Sequence, residues 1–294
     1  MSEYPGSEYS GAPVLISGNE VLLAEPAIVP DHPFVGREAE LRICRVAWGT
    51  SPDGTKLADN GLQPLSFRLE GAPGMGKNEI VYQIARTLNK PLFIIQGHEE
   101  LTPEDLALLL TPTPGADYGT IPLQLRASPL ATAIHVGGLF FFDEINRVPE
   151  RALSPLASVL DGRQYIYSAM TGTNIGPRDD EARRGFRFCC ALNPALSNAG
   201  YVLPEYIEQR TLPAIEVQAP PPSDLRRIIE TTLKPSRELL DEFEAWYARE
   251  ENHEMSVRQA VTVVNYVMSL MHQVGDPNPG VFDKVPRSLF GRRR

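Results

Sequence analysis

Cysteine is scarce in this chain, with three residues in 294: Cys44, Cys189 and Cys190. The odd count and the spacing suit neither a disulfide framework nor a metal, and the adjacent pair lies in an apolar, strand-like run. Core packing in a reducing compartment is therefore expected. Histidine is also sparse. His32, His98, His135, His253 and His272 are scattered without ligand spacing, which argues against a histidine-built metal centre. Neither a hydrolase triad nor a CxxC pair occurs. Long apolar runs are missing too: the one ending in Leu139, Phe140, Phe141 and Phe142 is far too short to cross a bilayer. The opening residues do not resemble a signal peptide, so no membrane partner and a cytoplasmic location are expected. Basic charge is in deficit, with 28 Lys and Arg against 37 Asp and Glu, a net charge of −9 and a pI near 5.2. That balance disfavours a nonspecific grip on nucleic acid and favours a protein partner.

What is present reads as a globular protein, 42% hydrophobic and 22% charged, long enough for one large domain and one small one. Its most informative stretch is Gly71, Ala72, Pro73, Gly74, Met75, Gly76, Lys77 and Asn78, leading into Glu79. The alternation Leu65, Phe67, Leu69 precedes it, and Ile80, Val81, Ile84, Ala85 and Leu88 follow at helical spacing. This is the strand, loop and helix context that G-x-x-x-x-G-K needs to bind a nucleoside triphosphate. The glycines let backbone N–H groups close around phosphates, the helix N-terminus adds its positive end, and Lys77 reaches the terminal phosphates. Asn78 stands where a Ser or Thr hydroxyl normally ligates Mg²⁺. Its amide oxygen is a hard neutral ligand but bulkier, so binding is expected to survive and hydrolysis to be slow.

Strand candidates recur at 65–70, 92–96, 138–143, 187–192 and 213–217, separated by helical or loop material, which implies a parallel sheet covered on both faces. Residues 1–31, rich in Ser, Gly, Pro and Glu, read as a flexible arm. The connection from Gly97 to Gly137 exceeds what a crossover needs. Thr102 and Pro103 there signal a short helix through Leu110, followed by a loop or hairpin over Thr111–Leu125 and a second helix over Pro129–Val136. A helix over Pro149–Leu160 precedes a projecting hairpin from Gln164 to Phe186, with the charged tract Arg178–Glu181 at a mobile tip. Pro220, Pro221 and Pro222 mark a boundary. Beyond it Ser223 is expected to cap one helix, Leu239, Leu240, Phe243, Trp246 and Tyr247 stripe a second, and Ser256 with Gln259 forms a capping box for a third.

The apolar strand ending in Asp143 and Glu144 supplies two carboxylates. One would hold the hydrated Mg²⁺ and the other would polarise a water for attack on the γ-phosphorus. Metal-binding residues are thus expected at Asn78 and Asp143, with Glu144 catalytic.

Together, Phe34–Glu38, the loop at 71–78, Phe142–Arg147, Asn193 with Pro194, and Leu203–Arg210 resemble the MoxR family of AAA+ ATPases, over about residues 32–275. The resemblance implies an α/β fold: a P-loop NTPase AAA+ core with a five-stranded parallel sheet, plus a small C-terminal helical lid domain. The segments would be a flexible N-terminal arm at 1–31, the nucleotide-binding domain at 32–220 with inserts near 97–137 and 164–186, the lid at 221–285, and a basic tail at 286–294. It makes Asn193 a polar sensor, Arg210 the arginine finger given to a neighbouring subunit, and Arg258 a second sensor reporting γ-phosphate to the lid. Val35 and Gly36 would line the adenine pocket. Other roles stay open at this point: an ion pair of Arg210 with Glu205 or Glu208, a cap at Asn193, and a salt bridge from Arg147 to Glu144 or Glu150. The implied activity is an ATPase using ATP and Mg²⁺ in a ring, a hexamer, that remodels or activates a protein client, one bearing a von Willebrand factor A domain. The alternatives are a nucleotide-binding switch with little hydrolysis, because of Asn78, and a DNA-directed motor, disfavoured by the acidic charge.

Overall fold

The computed structural model of the chain describes residues 13–58, 61–113, 123–194, 200–249, 255–274 and 282. A hairpin of β1 (Pro13–Ile16) and β2 (Asn19–Leu22) comes first, then α1 (Glu38–Ala47), β3 (Phe67–Glu70), α2 (Lys77–Leu88) and β4 (Leu92–Gln96). The long connection carries β5 (Leu108–Pro112), β6 (Leu123–Ala127) and α3 (Pro129–Val136) before β7 (Leu139–Asp143). Two short helices, α4 (Glu150–Leu153) and α5 (Leu156–Leu160), a hairpin of β8 (Ile166–Ser168) and β9 (Thr173–Ile175), and α6 (Asp180–Gly185) lead to β10 (Arg187–Leu192). The chain continues through α7 (Glu205–Arg210) and β11 (Ala214–Glu216) into three helices, α8 (Pro222–Leu233), α9 (Arg237–Tyr247) and α10 (Val257–Val274).

Five strands form a parallel sheet in the order β11-β3-β10-β7-β4. Strand β7 explains why it is buried on both sides. Alternate residues of a strand face opposite ways. Leu139 and Phe141 enter the core shared with α1 and α2, and Phe140 and Phe142 enter the one shared with α3 and α5. An unbroken apolar run is what such a doubly covered strand requires. Helix α2 meets it with Ile80, Val81, Ile84, Ala85 and Leu88, all buried. Helix α3 carries its own start and stop: the Ser128 hydroxyl accepts from the Ala131 N–H at 2.9 Å, Pro129 stands at N1, and Gly137 ends the helix in the left-handed region.

The five strand positions, α3 and the helical C-terminal part agree with expectation, but several local readings are corrected. Residues 13–22 are paired strand and not a loose arm: β2 runs parallel to β6, giving a second sheet in the order β1-β2-β6-β5. The following stretch is also anchored, since the Ala24 N–H donates to Thr132 Oγ1 and the Ala27 N–H to the Leu92 carbonyl. Residues 1–12 lie outside the described residues. The helix expected from Thr102 stops after one 3-10 turn, Glu104–Leu106, because the apolar run at Leu108 is drawn into pairing with β6. Pro155 has no N–H and breaks the helix expected over Pro149–Leu160 into α4 and α5. The Arg178–Glu181 tract is not a hairpin tip: Asp179 caps α6 through the Ala182 N–H at 2.7 Å.

In the C-terminal part, α8 is capped at Pro221 with Pro222 at N1, so Ser223 lies inside the first turn and is not the cap. The capping box at α10 forms as expected: the Ser256 N–H donates to Gln259 Oε1 at 2.9 Å and the Gln259 N–H to Ser256 Oγ at 3.2 Å. Leu239, Leu240, Phe243, Trp246 and Tyr247 of α9 pack with Leu225, Ile229 and Val264 in a separate small core. The expected basic tail lies outside the described residues. No helix among the described residues is long and apolar enough to cross a membrane. Cys44, Cys189 and Cys190 are free and buried, and desolvation lifts the Cys44 and Cys190 thiols to about 12.

Candidate nucleotide site

The glycine-rich loop leaves the C-terminal end of β3 and delivers the chain into α2. Gly71 is dictated by crowding, since a Cβ there would lie 2.4 Å from the Val217 carbonyl oxygen at the end of β11. Gly76 takes a left-handed φ of 91° at the start of α2, where no side chain caps the helix. The first N–H groups of α2 thus have no capping side chain and, with the helix's positive end, suit anionic oxygens. Beside the loop, Glu70, Gly71, Ala72, Met75, Asn193 and the 216–219 stretch line a cavity of about 400 Å³. Pro73 is exposed at the loop's outer turn.

Lys77 is only 8% exposed, and its ammonium donates to the loop's own carbonyls, Gly71 at 2.6 Å and Ala72 at 3.1 Å. Burial lowers its pKa, Asp143 and Glu144 act to raise it, and the Arg258 charge lowers it further. These four charged groups therefore face one another across one site. Asn78 donates from Nδ2 to Asp143 Oδ2 at 2.9 Å, so its amide is tied to the carboxylate with which it was expected to share a metal. The Tyr82 hydroxyl lies near the Asn78 side chain from one turn further along, and burial raises its pKa. Glu144 sits just past β7 in the left-handed region, φ 51°, with Oε2 accepting from Gln96 Nε2 and pairing with Arg147 Nε, both at 2.9 Å. The ion pair of Arg147 is therefore with Glu144 and not Glu150.

Asn193 is 3% exposed at the end of β10, and its backbone is pinned by Asn146: the Asn193 carbonyl accepts from Asn146 Nδ2 at 3.2 Å. From the small core, α10 reaches back over the loop. The Arg258 N–H donates to the Gly74 carbonyl at 3.3 Å, and a Cβ on Gly74 would lie 3.0 Å from Arg258 Cβ. Gly36 lies so close to α8 that a Cβ would come within 2.6 Å of Asp224 Oδ2. Val35 is half-buried beside it. Glu79 meets His32 at 3.3 Å.

Arg210 is not part of this cluster. It is exposed at the end of α7, where its guanidinium donates to the Tyr206 carbonyl at 3.0 Å, and it lines a separate cavity of about 570 Å³ with Gln63, Leu65, Gln164 and Leu212. Among the described residues it forms no ion pair with Glu205 or Glu208. Four contributors carry no signal of their own in the sequence reading: Gln96 and Asn146, which hold Glu144 and Asn193; Arg37, which donates to the Met75 and Gln218 carbonyls and so ties the loop to the lid junction; and Arg68, which holds the end of α7. Asn146 was visible as part of the quoted Phe142–Arg147 motif. Arg37 likewise lies within the Phe34–Glu38 motif, whereas Gln96 and Arg68 belong to no motif, and only their hydrogen bonds disclose them.

The residues present fit a magnesium-bound nucleotide: a loop with an uncapped helix start, a lysine whose ammonium rests on the loop's own carbonyls, and acids at the adjoining strand end. A five-stranded parallel sheet with this loop, inserts before β7 and β10 and a helical lid over the loop define a P-loop protein of the AAA+ class. The family model described as AAA domain (dynein-related subfamily) matches residues 66–212, half of the chain, and the chain belongs to that family as a MoxR-like AAA+ ATPase. It is 25% identical over 215 residues to the denitrification regulatory protein NirQ of Stutzerimonas stutzeri, covering 72% of this chain and 68% of NirQ. Other curated relatives are matched over about half their own length. It is 30% identical over 98 residues to von Willebrand factor A domain-containing protein 8 of Mus musculus, covering 33% of this chain and 5% of that protein. Among solved structures, a RuvB variant from Thermotoga maritima superposes with a TM-score of 0.58 at 18% identity, covering 86% of this chain and 72% of RuvB, a likeness of fold alone.

Proposed function

We propose that the protein hydrolyses ATP with Mg²⁺ in a closed ring of its own copies, a hexamer, and uses the cycle to remodel or activate a protein partner. One observation carries this reading. Lys77, Asp143, Glu144, Asn193 and Arg258 gather round one loop, whereas Arg210 stands apart on an exposed helix end. Arg258 brings one guanidinium from the lid side, and Arg210, set apart from the site of its own copy, brings a second to the site of the next; a guanidinium fork presented in trans is a large lever on phosphoryl transfer.

Within a copy, the loop amides and Lys77 hold the phosphates, and Arg258 closes the lid side of the same site. Glu144 orients and polarises the attacking water, and Gln96 and Arg147 fix its carboxylate. Asn193, placed by Asn146, senses the terminal phosphate. Asp143 and the Asn78 amide oxygen are the residues that would hold Mg²⁺, which supplies charge neutralisation to the phosphates when bound. The net charge of −9 favours a protein partner over nucleic acid. A von Willebrand factor A domain as the partner's module is supported by the mouse relative whose name carries that domain. Buried free thiols suit a reducing compartment such as the cytoplasm.

A second reading, a nucleotide switch with slow turnover, is favoured by the bond from Asn78 to Asp143, which occupies a carboxylate oxygen that the metal would otherwise use. Magnesium-dependent ATP turnover decides between them. Under the first reading Glu144→Gln lowers turnover by about 10²- to 10⁴-fold, the usual worth of a general base. Turnover insensitive to Glu144→Gln would remove the enzyme reading. A large gain in Asn78→Thr over the unaltered protein would install the switch.

A further inference from the structure

Arg68 is charged, 7% exposed, and set on an interior strand of the sheet, between β10 and β11. Its guanidinium reaches two ways. Nε donates to Glu70 Oε1 at 2.5 Å, one residue before the phosphate loop. From the same fork, one amino group donates to the Glu208 carbonyl at 2.8 Å and the Thr211 carbonyl at 3.4 Å, and the other lies 3.6 Å from Glu208 Oε1. Those two carbonyls bracket Arg210. They belong to the last turn of α7, where helix carbonyls lack partners within the helix and a cation is favoured.

Helix α7 has only six residues, too few to hold itself in place without tertiary contacts. Ile207 is buried and Thr211 returns its hydroxyl to the Ile207 carbonyl at 2.8 Å, but the backbone on both sides of Arg210 is tied to the sheet through Arg68. We propose that Arg68 is a positioning residue for Arg210, anchoring the end of α7 to the strand that enters the phosphate loop and so setting where the Arg210 guanidinium stands for the neighbouring copy. The inference rests on the reading above that Arg210 serves a neighbour's nucleotide, and its test separates the two. Lysine cannot replace arginine here, because a single ammonium cannot span Glu70 and two carbonyls at once.

The test uses the full chain carrying Arg68→Lys or Arg68→Met. In each, kcat for ATP should fall about tenfold or more while KM stays within about twofold, the pattern of a displaced group that acts from outside the binding site. Hydrogen exchange over residues 207–211 should quicken. The deciding measurement mixes each Arg68 variant with Glu144→Gln, which cannot turn over in its own site but offers an intact Arg210. Turnover per Arg68-variant subunit should rise severalfold in the mixture. A mixture of Arg210→Ala with Glu144→Gln serves as the reference. Rescue in the reference but none with either Arg68 variant would overturn the positioning role and leave the in-trans reading standing. No rescue in the reference would overturn the in-trans reading and this inference with it. If Arg68→Met does not fold, Arg68→Lys, which retains the buried charge, decides the matter alone.

Discussion

Replacing Asn78 by aspartate changes one atom's chemistry at the centre of the site and nothing in shape. In the folded protein the Asn78 Nδ2 donates to Asp143 Oδ2 at 2.9 Å, and Asp143 is 8% exposed. The Asn78→Asp variant sets a second carboxylate against the first. Two like charges about 4 Å apart repel by about 4 kcal/mol at an effective dielectric constant near 20. The new carboxyl can escape only by keeping a proton at neutral pH, and holding it across the roughly three pK units from its ordinary value costs about 4 kcal/mol as well. Partial exposure at position 78 screens the repulsion, so a loss of about 2–4 kcal/mol is expected, or about 3–6 °C in Tm for a chain of this size.

The sign with pH follows directly. The variant's folded state holds a proton more tightly than its unfolded state, so its penalty is absent in acid and grows as pH rises toward neutrality. Added Mg²⁺ should reverse the loss, because two carboxylates on one metal are stabilising where two alone are not. Melting curves in a chelator and in excess Mg²⁺, at pH 5 and pH 7, test all three statements. A variant melting at the same temperature as the unaltered protein in chelator at pH 7 would refute the adjacency of positions 78 and 143 and the metal assignment built on it.

Three further outcomes are expected. Phe141→Ala, at a fully buried position of the central strands, should lower the unfolding free energy by about 3–5 kcal/mol in a denaturant titration. Ser256→Ala removes one half of the capping box at α10 and should cost about 1 kcal/mol, seen as faster hydrogen exchange at residues 257–260 with the parallel sheet unchanged. His135 is held below its usual value of 6.5, first by burial and then by Arg178, against the opposing pull of the Gly176 carbonyl and Asp179. Its folded state therefore takes up protons less readily than its unfolded state, so stability is full above pH 6.5 and declines as pH falls through 6.5 and below. A urea series from about pH 7.5 to about pH 5 should show that decline and His135→Gln should flatten it, as follows from the protonation difference between folded and unfolded chains.

The local framework of the motifs was legible in the residues alone because its spacing is local. Gly71 to Asn78, Asp143 with Glu144, and the box at Ser256 and Gln259 each lie within a single loop or helix turn, where hydrophobic period and backbone requirements leave few alternatives. The apolar run Leu139–Phe142 likewise dictated a strand covered on both faces. Partners distant in sequence were not legible. The pairing of β2 with β6, the hold of Gln96 on Glu144, the break at Pro155 and the anchoring of Arg210 by Arg68 depend on which segments the fold brings into contact, and propensity carries no record of that.

Composition and local pattern thus determined a parallel sheet carrying a phosphate-loop motif and a small helical part after it, since burial and phosphate recognition impose their periods on neighbouring residues. Only the tertiary structure decided that Asn78 bonds Asp143, that Arg258 lies over its own chain's loop and that Arg210 stands clear of it, because hydrogen bonds and charges act across space between residues that the chain order keeps far apart.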